Sequence, residues 1–142
     1  MYKNILLSVD LAEESSWKEA LPKAVEIAAS ENAKLHLITV VPTYGMPIVG
    51  SFFPEDFEEK ALAAAKTSLA EFIKERIPDT IKAKKGHVAH GVIYEEIMHA
   101  ADKLGCDLIV LASHRPELRD YLIGPNAARV VRHAGQSVLV VR

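Results

Sequence analysis

Taken as a string of hydrophobic and polar positions, the chain alternates short apolar runs with longer stretches of helical period. Residues 4–9 (Asn-Ile-Leu-Leu-Ser-Val) stop at Asp10, and residues 35–41 (Leu-His-Leu-Ile-Thr-Val-Val) stop at Pro42. Residues 107–111 (Asp-Leu-Ile-Val-Leu) and 137–141 (Ser-Val-Leu-Val-Val) are two more such runs. Their apolar character is continuous rather than alternating. That pattern suits strands covered on both faces, hence a parallel sheet between layers of helices. A more polar run over 84–89 predicts an edge strand, with Lys82, Lys84 and Lys85 discouraging stray pairing.

The intervening stretches carry helical spacing. Trp17, Ala20, Leu21, Ala24, Val25 and Ala28 share one face, with Ser16 and Glu19 spaced as a capping box and Pro22 expected to kink the first turns. Phe57, Ala61, Ala64, Ala65, Ser68 and Phe72 mark a second helix. Ile93, Ile97, Ala100, Ala101 and Leu104 mark a third, followed by Gly105 where a C′ glycine belongs. Ala127, Val130, Val131 and Ala134 mark a fourth, again followed by glycine (Gly135), with Pro125 in its first turn. Strands alternating with helices require right-handed crossovers and give an open, doubly wound α/β sheet. Such sheets bind ligands beyond the carboxyl ends of their strands. The candidate site is therefore Ser8-Val9-Asp10, Val40-Val41-Pro42, His90-Gly91 and Ala112-Ser113-His114-Arg115-Pro116. Residues 42–54, with three of the seven prolines, form one long connection, suited to a lid or a partner surface.

Composition narrows the classes without choosing among them. The 142 residues suffice for one domain, taken here as 1–142, and 49% hydrophobic with 25% charged residues is an ordinary globular balance. A single cysteine, Cys106, excludes a disulfide framework and reads as a small buried hydrophobe. With a net charge of −2, no run long enough to span a bilayer and no signal-peptide pattern, the expectation is a cytoplasmic protein that engages neither nucleic acid nor membrane.

Chemistry concentrates near residues 112–127. Gly124-Pro125-Asn126 opens the fourth helix, whose first-turn N–H groups and partial positive charge suit a phosphate. Ser113 and His114 supply hydrogen-bond donors beside them, and Arg115 and Arg119 supply charge. Arg129 and Arg132 extend what reads as a local basic cluster beside the helix start. Asp10 has two readings, a ribose or adenine contact and a cap for the turn that follows. Nothing in the chain matches a phosphate loop of the G-x4-G-K-[S/T] type, a dinucleotide glycine fingerprint after the first strand, or a nucleophile elbow. The six histidines lack metal-ligand spacing, so no metal site is expected, and His114 reads as a loop-packing or hydrogen-bonding residue rather than a catalytic base, so no catalytic residue is expected either.

Three segments together resemble the universal stress protein family across the whole chain. They are Tyr-Lys-Asn-Ile-Leu-Leu-Ser-Val-Asp at the start, Asp-Leu-Ile-Val-Leu-Ala-Ser-His from Asp107, and Gly-Pro-Asn-Ala-Ala-Arg-Val-Val-Arg-His-Ala-Gly-Gln-Ser-Val-Leu-Val-Val-Arg from Gly124. The resemblance implies a Rossmann-like five-stranded parallel sheet of order 3-2-1-4-5, flanked by helices, and a stress-response protein that binds ATP or a related adenine nucleotide, with magnesium as a candidate companion. Asp10 and Val40 would meet adenine and ribose, and Ala112, Ser113, His114, Arg115, Gly124, Pro125, Asn126 and Ala127 would form the phosphate loop. It also implies a homodimer through the last strand, Ser137 to Arg142, with a tetramer as the larger form. Any ATP hydrolysis would be slow, because no group is placed as a hydrolytic base.

The loop departs from the family's G-x2-G-x9-G-[S/T] pattern. Ala112 and Arg115 stand where its first two glycines belong, the second spacer has eight residues, and Pro125 replaces the final hydroxyl residue, leaving Gly124 alone retained. Either Arg115 pairs with the phosphates, as in a small subgroup with Ser-His-Arg-Pro loops, or Arg115 and Pro125 block the site and the chain is a nucleotide-free homodimeric interaction module.

Overall fold

The computed structural model describes residues 1–42, 57–113 and 124–142. Five strands, β1 (Asn4–Ser8), β2 (Lys34–Pro42), β3 (Lys84–Gly91), β4 (Leu108–Ala112) and β5 (Ser137–Val141), form one sheet. Every pairing is parallel and the order is β3-β2-β1-β4-β5. The strands lie where the apolar runs predict them, and the polar run forms a rim. Around the sheet lie α1 (Ala20–Glu31), α2 (Phe57–Arg76), α3 (Ile93–Lys103) and α4 (Pro125–His133).

Side chains of a strand alternate between faces, so each apolar run feeds two cores. Ile5, Leu7, Leu35, Leu37 and Val110 pack with Ala24 and Ala28 of α1 and with Leu69 and Phe72 of α2. Leu6, Ile38, Ile109 and Leu111 pack with Ile97 and Ala101 of α3 and with Ala127 and Val130 of α4. Each Leu or Ile removed fully from water contributes roughly 1.5–3 kcal/mol, so neither phase of these strands can be polar without cost. The division of helices follows from crossover handedness. From β1 through β2 to β3 the chain steps one way, which sets α1 and α2 on one face. It then crosses to β4 and steps the other way to β5, which sets α3 and α4 on the opposite face. β1 therefore has outward-running neighbours on both sides, and the switch point lies between β1 and β4.

Local chemistry sets the boundaries. Gly105 takes a left-handed φ of 65° after α3, as its position predicts. α1 ends on Asn32 with φ 53°, a left-handed cap that hydrophobic spacing does not signal. Four expectations need correction. α1 begins at Ala20 with no side-chain cap from Glu19, because Ser16 is spent elsewhere in a 3-10 turn (Glu14–Ser16), so no capping box forms. Pro22 lies in the first turn of α1, where its missing N–H breaks no helical bond and a kink has no cause. On α2, Ala64 and Ser68 are exposed while Leu69 and Phe72 are buried, so the packed stripe runs through Leu62, Ala65, Leu69, Phe72 and Ile73. Gly135 has no left-handed φ; α4 stops at His133 through an extended Ala134.

Candidate functional site

The sheet's carboxyl edge is assembled from strand ends fixed by backbone bonds. Past β1, the N–H of Val9 donates to the Ile38 carbonyl at 2.9 Å, holding the β1 and β2 ends together. Past β4, the N–H of Ser113 donates to the Val141 carbonyl at 2.9 Å, and the Gly124 N–H donates to the Ser113 carbonyl at 3.3 Å. The last bond seats the start of α4 directly on the end of β4, beside the switch point.

Asp10 is exposed at the end of β1 and performs the capping role. Its Oδ1 accepts from the Ala12 N–H at 3.0 Å, and its carbonyl accepts from the Glu13 N–H at 3.0 Å. The Ser16 hydroxyl closes the turn. It accepts from the Asp10 N–H at 2.8 Å, and its proton has the carbonyls of Asp10 (2.9 Å) and Glu13 (2.7 Å) within reach.

Val40, near the end of β2, is half-buried against the α3 side of the sheet, whereas Ala112 at the end of β4 packs on the α1 side. Ser113 is buried, with its hydroxyl toward the Val141 carbonyl at 3.4 Å. His114 and Arg115 lie outside the described residues, as do Arg119 and most of the 42–54 connection. Pro125 is exposed, Asn126 half-buried, and Ala127 buried in the second core, so Ala127 can offer a ligand only its backbone.

The start of α4 is lightly packed among the described residues. The first intrahelical bond runs from Ala128 N–H to the Gly124 carbonyl at 2.9 Å, and N–H groups before it have no partner within the helix. Gly124 has φ −63° and ψ 157°, angles open to any residue. Among the described residues, a Cβ there would meet only the Ser113 carbonyl oxygen, at an ordinary 3.7 Å. A glycine that neither its backbone angles nor its described neighbours require, set before a helix start, fits close approach by a phosphate. The donor set fits an anionic ligand. Among the described residues no group of three or more His, Cys, Asp or Glu could hold a metal ion.

The basic cluster is smaller than the sequence suggests. The Arg129 guanidinium stacks over the Tyr94 ring at 4.9 Å, and Arg132 lies with His133 in the last turn of α4, where cations meet the negative helix end. Other features at this edge escape hydrophobic patterning. His90 Nδ1 pairs with Glu58 Oε1 at 2.9 Å, tying the first turn of α2 to the end of β3. Gly91 has φ 148°, and a Cβ there would fall 2.7 Å from Glu96 Oε1, so this turn requires glycine. The His-Gly pair at a strand end was the available signal. Cys106 is buried, and burial pushes its thiol up to about 11, in keeping with an inert hydrophobe.

A five-stranded parallel sheet of order 3-2-1-4-5, helices on both faces and a glycine-led helix at the switch point define a Rossmann-like α/β protein. The sequence profile of the Universal stress protein family matches residues 1–142, and the chain belongs to that family. It is 33% identical over 144 residues to universal stress protein G of Escherichia coli O157:H7, covering the whole of both chains. Its fold matches the universal stress protein UspA from Lactobacillus plantarum with a TM-score of 0.75 at 26% identity, covering 99% and 98% of the two chains. Two more distant neighbours were solved with nucleotides. One is a universal stress protein in complex with cAMP (TM-score 0.70, 22% identity, 99% and 97% covered). The other is the Archaeoglobus fulgidus protein in complex with dAMP (TM-score 0.62, 20% identity, 99% and 98% covered). Among the described residues, no helix is long and apolar enough to cross a membrane.

Proposed function

We propose that residues 1–142 form one cytoplasmic universal stress protein domain that binds ATP or a related adenine nucleotide as a regulatory signal. The observation that carries this reading is the seating of Gly124 and the α4 start on the end of β4 at the switch point. Adenine and ribose lie toward Asp10 and Val40, at the ends of β1 and β2. The phosphates lie along Ala112, Ser113, His114 and Arg115 and on the helix start at Gly124, Pro125, Asn126 and Ala127. Asp10 keeps an exposed carboxylate although its Oδ1 caps the turn, so the capping role and a ribose contact are compatible. The nucleotide complexes of the two neighbours support the ligand class. Magnesium, where present, would be held by the phosphates rather than by a protein cage.

Calorimetry with ATP, with and without magnesium, and with cAMP tests the reading. A saturable heat is expected, and none at millimolar nucleotide with the protein folded overturns it in favour of a nucleotide-free module. Arg115→Ala separates the two roles of the variant loop. If Arg115 pairs with phosphate, the substitution weakens binding by roughly 1.5–3 kcal/mol, the range for a charge-assisted hydrogen bond. If it fills the phosphate space, binding strengthens.

A further inference from the structure

The sheet contains a pair of histidines that the nucleotide reading does not use. His36 of β2 and His87 of β3 lie on adjacent strands, on the face covered by α3. His36 Nδ1 and His87 Nε2 are 2.9 Å apart, a hydrogen bond that needs one proton between the two rings. His36 is only 3% exposed, and its other nitrogen, Nε2, has no hydrogen-bond partner among the described residues. If His87 donates, His36 carries its proton on Nε2, buried and unmatched; if His36 donates, Nε2 is an unmatched acceptor. In either tautomer the pair is complete with both rings neutral. Two further protons would set two imidazolium rings in contact.

Among the described residues, the charges that bear on the pair are lysines. Lys34 comes from β2, Lys85 from β3 and Lys103 from α3, while β1 places the apolar Leu6 opposite His36. Burial first, then His87, Lys34 and Lys85, hold His36 down to about 4, and burial first, then Lys85, Lys34 and Lys103, lowers His87 as well.

We propose that His36 and His87 form an acid-sensitive clasp, which holds the rim strand β3 on β2 near neutral pH and loosens it when the rings take up protons. Such a device sits where a small change has reach. β3 is a rim strand paired, among the described residues, with β2 alone, and it continues to His90 and Gly91 at the carboxyl edge. The sign follows from linkage. A histidine that protonates less readily when folded contributes stability that is complete above its unfolded value near 6.5 and is lost as pH falls toward its folded value. Across that window, each proton bound only by the unfolded or opened form raises the opening constant by up to about tenfold per pH unit.

Histidine-resolved NMR titration of the whole protein, with β3 amides followed in the same spectra, tests the clasp without substitution. The expected result is a His36 ring that stays neutral well below pH 6, with the amides of 84–91 shifting or broadening as it protonates and before the β1 and β4 amides do. A His36 ring that titrates near 6.5 with β3 unmoved overturns the proposal. The doubly substituted H36Q/H87Q chain supplies the second measurement, its thermal midpoint between pH 7 and 4.5. A flattened pH slope relative to the parent supports the clasp, and coincident slopes overturn it. If the double variant does not fold, the NMR titration decides alone.

Discussion

Gly124 adopts angles open to any residue, and among the described residues a side chain there would meet only the Ser113 carbonyl, so in the nucleotide reading its importance lies in letting the ligand come close. Gly124→Val should therefore separate folding from binding. Gly124 is the buried N-cap of α4, where valine is a poor substitute, so stability is expected to fall by about 1 kcal/mol while the chain still folds. Nucleotide affinity should fall at least tenfold in the same preparation, and equal affinity in calorimetry would show that nothing approaches this position. Asp107 makes the opposite case, a carboxylate with a purely architectural task. Its oxygens accept from the N–H groups of Lys3 (2.9 Å) and Asn4 (3.0 Å), tying the entrance of β1 to that of β4. Partial burial works against its charge, but these backbone donors prevail and hold the carboxyl below its ordinary 3.8. A carboxyl lowered on folding contributes stability present above that value and lost as pH falls through its folded one. Asp107→Ala should cost about 1.5 kcal/mol at neutral pH by denaturant titration, and that deficit should vanish in strong acid. The hydrophobic pattern marks neither bond, since both depend on which strand ends meet in space.

At the scale of elements, the packing of α2 on β3 turns on one glycine. A Cβ at Gly86 would fall 2.8 Å from Ile73 Cδ1 and 2.9 Å from Leu69 Cδ2, so helix and strand approach as closely as they do because no side chain intervenes. Gly86→Val should push α2 outward and cost about 1–3 kcal/mol, as overpacking does. Trp17 would report it, because its ring meets Phe72 edge-on at 5.1 Å and carries the Arg76 guanidinium at 4.7 Å. An unchanged thermal midpoint and fluorescence spectrum would refute the account. α2 also shows where sequence reading loses its phase. Three alanines in a row (63–65) let several helical faces look equally apolar, so the spacing that correctly includes Phe72 also takes in the exposed Ala64 and Ser68 and passes over Leu69. The strands offered no such ambiguity. Val, Ile and Leu in unbroken runs leave only a doubly covered sheet, and β1, β2, β4 and β5 were legible for that reason. The start of α1 was not, because Ser16 satisfies the turn at Asp10 instead of a helix end, a choice set by tertiary geometry.

At the scale of the whole molecule, the two rims of the sheet differ in chemistry. β5 is half-buried through Val138, Leu139, Val140 and Val141, with Val138 on one core and Leu139 and Val141 on the other. The proposed homodimer would pair this rim with that of a second copy. Val140→Lys should then give a folded monomer by light scattering, and a dimer of unchanged mass would refute this interface. The carboxyl edge was recognised from the order of strands and helices, since any doubly wound sheet places its crevice there. Asp10's cap on the turn after β1 was one of its two readings, because that bond is local, whereas the bond of Ser113 to Val141 joins residues 28 apart and no spacing in the chain predicts it.

The lysine-bearing rim at β3 and the apolar rim at β5 also set a limit on growth. Helices tile both faces of the sheet, and exposed Lys82 and Lys85 flank one margin, which leaves a single margin suited to strand addition. A unit with one such margin can join one other unit, margin to margin about a twofold axis, and then has none left to offer. Assembly by this route terminates at a pair. If the proposed β5 pairing forms, a chain built from strands this apolar would thereby be kept from the open-ended fibres that two bare margins would permit.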